Sequence, residues 1–249
     1  MSDHSADMLE IFSSIQGEGL LVGLRQIFLR FCSCNLHCHY CDTESASPEH
    51  CSIEETPGRR DPVQVENPVA LDQIVALIDK WQRGWPGVHH SISITGGEPL
   101  LHHETLSEWL PVLRSRLPIY LETNGMLHST LASLIEHFDH ISMDIKLPST
   151  SGHTELWESH REFLRIAVRQ NALVKTVIND MTEEWEIIRT CEIISSIDKN
   201  VPLILQPVTL KDGKVGLTPI KVLEMQETAA SYLSEVRVIP QTHHLLGLL

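Results

Sequence analysis

The sequence lacks any apolar run near the roughly 20 residues that a membrane span requires, and no charged-then-apolar leader opens it. Basic residues are scarce. The 19 Lys and Arg stand against 33 Asp and Glu, for a net charge of −14. That balance argues against broad electrostatic binding to nucleic acid, which needs basic surface to displace counterions, but it allows a local basic patch for a redox partner. Internal repeats, interdomain linkers and low-complexity tails are also missing. A chain of 249 residues with 42% hydrophobic content is therefore expected to form a single domain, 1–249, around one large core. Six cysteines in a chain this long do not read as a disulfide framework. These absences lead to the expectation of a cytoplasmic protein in a reducing compartment.

What is present is alternation. Short β-rich runs at Gln26–Cys32, Ser91–Thr95, Ile119–Glu122, Ile141–Ile145, Leu173–Ile178 and Leu203–Val208 predict six strands. Between and after them, helical periodicity predicts helices at Leu71–Arg83, Thr105–Arg116, Thr130–Glu136, His153–Gln170, Glu183–Ser196 and Pro219–Leu233. Strands alternating with helices imply a parallel sheet. Six units fall short of the eight of a full barrel, so the expected fold is α/β, an incomplete TIM-like barrel of about six parallel strands. Residues 44–68 are polar and rich in turn formers, and predict a loop insertion. His89-His90, His102-His103 and His153, among fifteen His, are expected on solvated loops.

Five polar or glycine-rich signals fall at the carboxyl ends of the predicted strands: the Cys loop, Gly96-Gly97-Glu98-Pro99, Glu122-Thr123-Asn124-Gly125, Asp144-Ile145-Lys146 and Gln206-Pro207. Ligand sites of parallel α/β folds gather at those ends, so the five point to one shared site. Cys34, Cys38 and Cys41 form a C-x3-C-x2-C run. Three thiolates this close can hold three irons of a [4Fe–4S] cluster and leave the fourth iron open to a small molecule. A zinc site would need a fourth ligand from Cys32, Cys51, Cys191 or His37, and on the residues alone it stays open. Gly96 and Gly97 allow a tight turn and close backbone approach to a ligand, and Glu98 is placed to accept from an ammonium group.

The Cys spacing resembles that of radical S-adenosylmethionine enzymes. With Glu10–Gly19, Arg30, Cys41-Asp42-Thr43 and Val236–Gly247, the chain is similar to the 7-carboxy-7-deazaguanine synthases of queuosine and deazapurine biosynthesis. The resemblance runs from about Glu10 to the terminus and is weakest over 44–68. It implies a carbon–nitrogen lyase that contracts the ring of 6-carboxy-5,6,7,8-tetrahydropterin, releases ammonia and regenerates its S-adenosylmethionine. The resemblance also implies a [4Fe–4S] cluster on Cys34, Cys38 and Cys41, and Mg²⁺ at Thr43. The cofactor would lie against Tyr40, Asp42, Gly96, Gly97, Glu98, Thr123, Asn124, Asp144, Ile145, Lys146, Gln206, Pro207, Val208 and Thr209. Substrate would meet Ile15, Gln16, Gly17, Glu18, Arg30, Thr95 and His243, with Arg30 on its carboxylate. Lys175 receives no role beyond a buried ion pair. A flavodoxin as electron donor and a homodimer are implied by the resemblance too. Family members commonly end in Pro shortly after the His, whereas this chain ends Gly247-Leu248-Leu249. A glycyl-radical activase and a non-enzymatic zinc or iron–sulfur scaffold are the rival readings.

Overall fold

The computed structural model describes residues 5–41, 46–154, 156–210 and 213–248. Its strands are β1 (Ser5–Ala6), β2 (Met8–Ile15), β3 (Arg25–Phe31), β4 (His50–Glu54), β5 (Pro62–Glu66), β6 (Val69–Ala70), β7 (Ser91–Gly96), β8 (Ile119–Thr123), β9 (His140–Asp144), β10 (Asn171–Ile178), β11 (Leu203–Pro207) and β12 (Val236–Val238). The helices are α1 (Leu71–Gly84), α2 (His103–Arg114), α3 (His128–Leu134), α4 (Pro148–Ser151), α5 (Trp157–Ala167), α6 (Glu184–Ser195), α7 (Pro219–Ala230) and α8 (Thr242–Leu245). No helix among the described residues is long and apolar enough to cross a membrane.

Among the described residues ten strands form one sheet, in the order β12-β11-β10-β9-β8-β7-β3-β2-β4-β5. The run from β3 to β12 is parallel throughout. β2 lies antiparallel to β3, and β4 parallel to β2. The sheet does not close, since β12 and β5 remain its two edges. The fold is thus α/β with an open, mostly parallel sheet, in keeping with an incomplete barrel.

Side chains alternate across a strand, and here the alternation separates apolar from polar. On β7, Ile92 and Ile94 belong to the core, while Ser91, Ser93 and Thr95 are buried on the opposite face. The same period gives Ile27, Leu29 and Phe31 to the core and leaves Arg30 on the other face of β3. The helices supply the other half of the core. α1 buries Ile74, Ile78 and Trp81, one stripe at helical spacing. Trp109 of α2 packs on Phe31, ring centroids 5.8 Å apart.

The six expected strands are all present, and the structure adds others. Val236–Val238 extends the parallel run by pairing with β11; three residues are too few to show a period. Met8–Ile15 is a strand where only a motif was read, because its buried Ser13 and Ser14 break the apolar pattern. The loop expected over 44–68 is corrected in its described part. β4 and β5 form an antiparallel hairpin there, and β4 joins the main sheet. The helix expected from His153 starts only at Trp157, because α4 ends at Gly152, whose left-handed φ of 78° breaks the helical path. His89, expected in solvent, is buried, with its Nε2 2.8 Å from Ser13 Oγ.

One carboxylate holds the hairpin to the sheet. Glu54, 4% exposed, accepts from Ser13 N (2.9 Å), Gly58 N (2.8 Å) and Arg60 N (2.8 Å). Leaving buried amides without acceptors costs about 1–3 kcal/mol. Glu54→Ala is accordingly expected to lower the urea-unfolding free energy by about that amount, and an unchanged midpoint would show that the contacts carry no stability.

Candidate active site

The carboxyl ends of β3 and β7–β11, the loops after them, and α8 surround a cavity of about 690 Å³. Its deepest organisation lies at the ends of β3, β7 and β8. Gly96 has a φ of 129°, and a Cβ there would lie 2.1 Å from Phe31 O. A Cβ on Gly97 would lie 2.0 Å from Ser33 O. Only glycines let the turn after β7 pass this close to the Cys loop. Backbone hydrogen bonds then join the two, from Gly97 N to Phe31 O (3.2 Å) and from Glu98 N to Ser33 O (2.8 Å).

Glu98 is fully buried. Its carboxylate accepts from Asn124 N (2.7 Å), Leu100 N (3.1 Å) and the Thr123 hydroxyl (2.9 and 3.0 Å). It therefore faces the ends of β7 and β8 and does not line the cavity. Asn124, fixed in this way, reaches Asn35 Oδ1 (2.8 Å) and Cys34 Sγ (3.7 Å) through its Nδ2. His160 Nε2 donates to Asn124 O (3.1 Å) from below.

Cys34, Cys38 and Cys41 all line the cavity. Cys32, Cys51 and Cys191 are buried free thiols elsewhere. Burial pushes the Cys34 thiol up, and it pushes Cys38 up to about 11 against the pull of Lys146. Metal binding must therefore displace protons from them, as thiolate ligation does generally. Among the described residues no group of three or more His, Cys, Asp or Glu could hold a single metal ion. Three thiols supply three ligands of a four-iron cluster and leave one iron open, whereas a structural zinc site needs a fourth ligand.

Beside the Cys loop, Lys146 Nζ donates to Asp144 Oδ2 (2.8 Å) and Tyr40 OH (2.9 Å). Burial raises the Tyr40 phenol, and it stays protonated. Asp144 Oδ1 and Gln206 Oε1 are buried on the cavity wall with no hydrogen-bond partner. Buried acceptors normally find donors. These two fit a ligand that brings amine or hydroxyl hydrogens, so the residues present are compatible with S-adenosylmethionine as well as with the cluster.

The far end of the cavity is formed by β2, β3, β8 and α8. Arg30 Nε donates to Glu10 Oε1 (2.7 Å), its register partner on β2. Its guanidinium lies 5.6 Å from the Phe12 ring, which stacks on Phe28 with centroids 4.9 Å apart. Glu122 accepts from Gln16 Nε2 (2.7 Å) and Thr95 Oγ1 (2.8 Å). Glu18 pairs with Lys175, and its Oε1 accepts from Gln241 Nε2 (2.8 Å) and Gln206 Nε2 (3.2 Å). Thr242 N donates to Gly17 O (2.9 Å), and His243 packs so tightly on Gly17 that a Cβ there would meet Nδ1 at 2.0 Å.

Most of the residues singled out in the sequence meet in this cavity: Ile15, Gln16, Gly17, Glu18, Arg30, Tyr40, Thr95, Gly96, Gly97, Thr123, Asn124, Asp144, Lys146, Gln206, Val208, Thr209 and His243, with the three cysteines. Glu98, Ile145 and Pro207 are not among its lining residues. Glu98 is held by Asn124, Leu100 and Thr123, and Ile145 is core. Asp42 and Thr43 lie outside the described residues. Lys175 and Gln241 line the cavity and were not read as site residues, and Glu122, read only as part of the strand-end signal Glu122–Gly125, lines it too. Strand parity was the signal for Glu122 and Lys175, the charged residues of β8 and β10, both of which alternate onto the inner face.

The sequence profile of the radical SAM superfamily matches residues 29–191. The chain is 58% identical over 248 residues to the 7-carboxy-7-deazaguanine synthase of Geobacter sulfurreducens, with 99% of each chain covered. It is 37% identical over 262 residues to that of Methanothermobacter thermautotrophicus, with 98% of each covered. Among solved structures, QueE from Escherichia coli superposes with a TM-score of 0.60 at 21% identity, covering 95% of this chain and 93% of that one. TYW1 with a lysine-pyruvate adduct bound gives 0.54 at 18% identity, covering 84% and 74%.

Two outcomes are expected from this geometry. Gly97→Ala forces the turn after β7 away from the Cys loop, so iron and sulfide uptake on anaerobic reconstitution should fall severalfold; full loading would show that the loop tolerates the shift. Burial raises the Glu98 carboxyl to about 7 from an ordinary 4.5, against the amides of Asn124 and Leu100. The native state thus holds a proton that the unfolded chain releases. Stability is then lost as pH rises from about 4.5 through about 7. Glu98→Gln should flatten that slope in urea unfolding, and an unchanged slope would assign it to another group.

Proposed function

The chain belongs to the radical SAM superfamily and, within it, to the 7-carboxy-7-deazaguanine synthases, and from that premise we propose that the cavity holds cofactor at its Cys end and a pterin carboxylate at its Arg30 end. The reaction is the ring contraction of 6-carboxy-5,6,7,8-tetrahydropterin to 7-carboxy-7-deazaguanine with loss of ammonia. One observation carries the assignment of ends. A single cavity joins three thiols and the unpartnered Asp144 Oδ1 on one side to a guanidinium, an amide turn and a carboxylate on the other.

When bound, the cluster and S-adenosylmethionine supply a one-electron route to removing hydrogen from an unactivated carbon. The protein's part is binding and aim. Glu10 occupies Arg30 Nε, which leaves the two terminal nitrogens to grip a carboxylate as a fork. The Phe12–Phe28 stack backs that guanidinium and keeps water from its underside. Gln16 and Thr95 hold both oxygens of Glu122 by donating to them, so its remaining lone pairs are fixed toward the cavity for ring N–H groups. Glu18 offers a second acceptor for the same edge of the pterin. Gly17 O and His243 bring the end of the chain over the substrate side.

Mg²⁺ belongs to the same reading. Thr43, outside the described residues, would give it one hydroxyl, with substrate oxygens and water completing the shell. A flavodoxin as the one-electron donor, a homodimer and a cytoplasmic setting are further parts of the proposal, supported by family membership. Cluster reduction by flavodoxin without dithionite, and the mass in light scattering, check the first two.

The deciding experiment is anaerobic turnover of the reconstituted protein with S-adenosylmethionine, Mg²⁺ and 6-carboxytetrahydropterin, read by mass spectrometry. Carboxydeazaguanine should form, and Cys34→Ala should abolish it. Arg30→Ala should raise KM for the pterin about 10–100-fold, the worth of a charge-assisted pair. Release of 5′-deoxyadenosine with no deazaguanine would overturn the substrate assignment.

A further inference from the structure

Lys175 lies in the middle of the inner face of β10, in register with Asp144 on β9. Its ammonium pairs with Glu18 and stands 3.5 Å from Asp144 Oδ2, with the side chain 14% exposed. Asp144 in turn takes Lys146. Four charges of alternating sign therefore run across the cavity wall, from the turn after β2 to the Cys loop. We propose that Lys175 is a positioning residue that keeps Glu18 a charged, fixed acceptor at the substrate end of the cavity. This rests on the proposed assignment of that end to the pterin.

The hydrogen bonds decide which form of Glu18 the site accepts. Its Oε1 receives Gln241 Nε2 and Gln206 Nε2, and its Oε2 receives Lys175 Nζ. All three neighbours are donors. A carboxylate has about four acceptor sites and uses three here, which leaves one for an N–H of the ligand. A protonated Glu18 would point a fourth donor at donors. Burial by itself drives a carboxyl toward the neutral form. The Lys175 ammonium overcomes that tendency and holds Glu18 well below the ordinary carboxylate range.

The other charged or titratable groups that face this pair come from four elements. His243, from α8, acts on Glu18 in the same direction as Lys175, but more weakly. Tyr120 of β8 is buried and stays protonated. Asp144 and Glu122 reinforce the charge on Lys175, and Lys146 opposes it. Without Lys175 the chain is left with Glu18 and Asp144 against Lys146. Protonating Glu18 then restores balance, and Gln206, whose Oε1 has no partner, can turn its amide to accept the new proton.

Lys175→Gln and Lys175→Arg separate this from a plain structural pair. Pterin affinity would be measured by equilibrium dialysis on the reconstituted, unreduced protein with S-adenosylmethionine, from mildly acid to mildly alkaline pH. The unaltered protein and Lys175→Arg should bind with no acid limb. Lys175→Gln should acquire one, with affinity falling about tenfold per pH unit below its inflection. A uniform loss at every pH, or an unchanged profile, would overturn the proposal. Infrared difference spectra test Glu18 without any ligand. A protonated carboxyl band should appear in Lys175→Gln as pH falls and vanish when Glu18→Gln is added; its absence would also overturn the proposal. If the band behaves as expected while the unaltered protein binds no pterin, the substrate reading fails and the hold of Lys175 on Glu18 stands.

Discussion

One buried carboxylate ties together the three loops on which the site depends. Glu98 follows Gly96 and Gly97 at the end of β7, its amide holds Ser33 O in the Cys loop, and its side chain takes the amide of Asn124 and the hydroxyl of Thr123 at the end of β8. Asn124 then turns its own side chain back to Cys34 and Asn35. The Cys loop carries little apolar surface to anchor it, and an unanchored loop would cost conformational entropy each time a ligand ordered it. The Glu98 hydrogen bonds meet that cost during folding. Glycine at 96 and 97 is needed for the same reason, since the loops touch through backbone atoms.

A second constraint is charge. The inner face of the sheet carries Arg30, Glu122, Asp144, Lys175 and, at the mouth, Glu18 and Lys146, in a setting where an unpaired ion is expensive. The chain meets this in two ways. Where a cation is within reach it alternates signs, as in Glu18–Lys175–Asp144–Lys146 and in Arg30–Glu10. At Glu122 neutral donors from Gln16 and Thr95 hold the carboxylate in place. Buried pairs of this kind add little net stability. Their value is geometric: they fix the carboxylates in place and leave an acceptor such as Asp144 Oδ1 without a protein partner.

Much of this was legible in the sequence, because parallel strands buried on both faces are dense in Val, Ile and Leu and are spaced by helices. Those runs gave six strands, and the polar residues at their carboxyl ends gave the site. The rest was hidden for identifiable reasons. β2 buries Ser13, which bonds to Glu54, His89 and Arg25, and Ser14 beside it, so it has no apolar period to read. The hairpin of β4 and β5 is mostly exposed on β5 and depends on Glu54 and Asn67, which look like loop residues. Lys175 sits inside an apolar run, and its partner Glu18 is 157 residues away. Only the inner-face parity of β10 connects them.

The two ends of the cavity also differ in where they come from along the chain. The superfamily profile spans residues 29–191 and so contains the Cys loop, the Gly96–Glu98 turn, Asn124, Asp144 and Lys146. It stops short of Gln16–Glu18 on one side and of Gln206, Gln241 and His243 on the other, whereas the Geobacter sulfurreducens relative matches over 99% of the chain. An open sheet explains this division. Its parallel strands from β3 to β10 bring the cofactor side together with no help from the termini. Its unclosed side has to be covered by segments that precede and follow them, the turn after β2 and the segment carrying α8, joined through Gly17 and Thr242. In the proposed assignment those covering segments meet the pterin. Glu18 belongs to one of them, and its pair with Lys175 ties that cover to the parallel sheet.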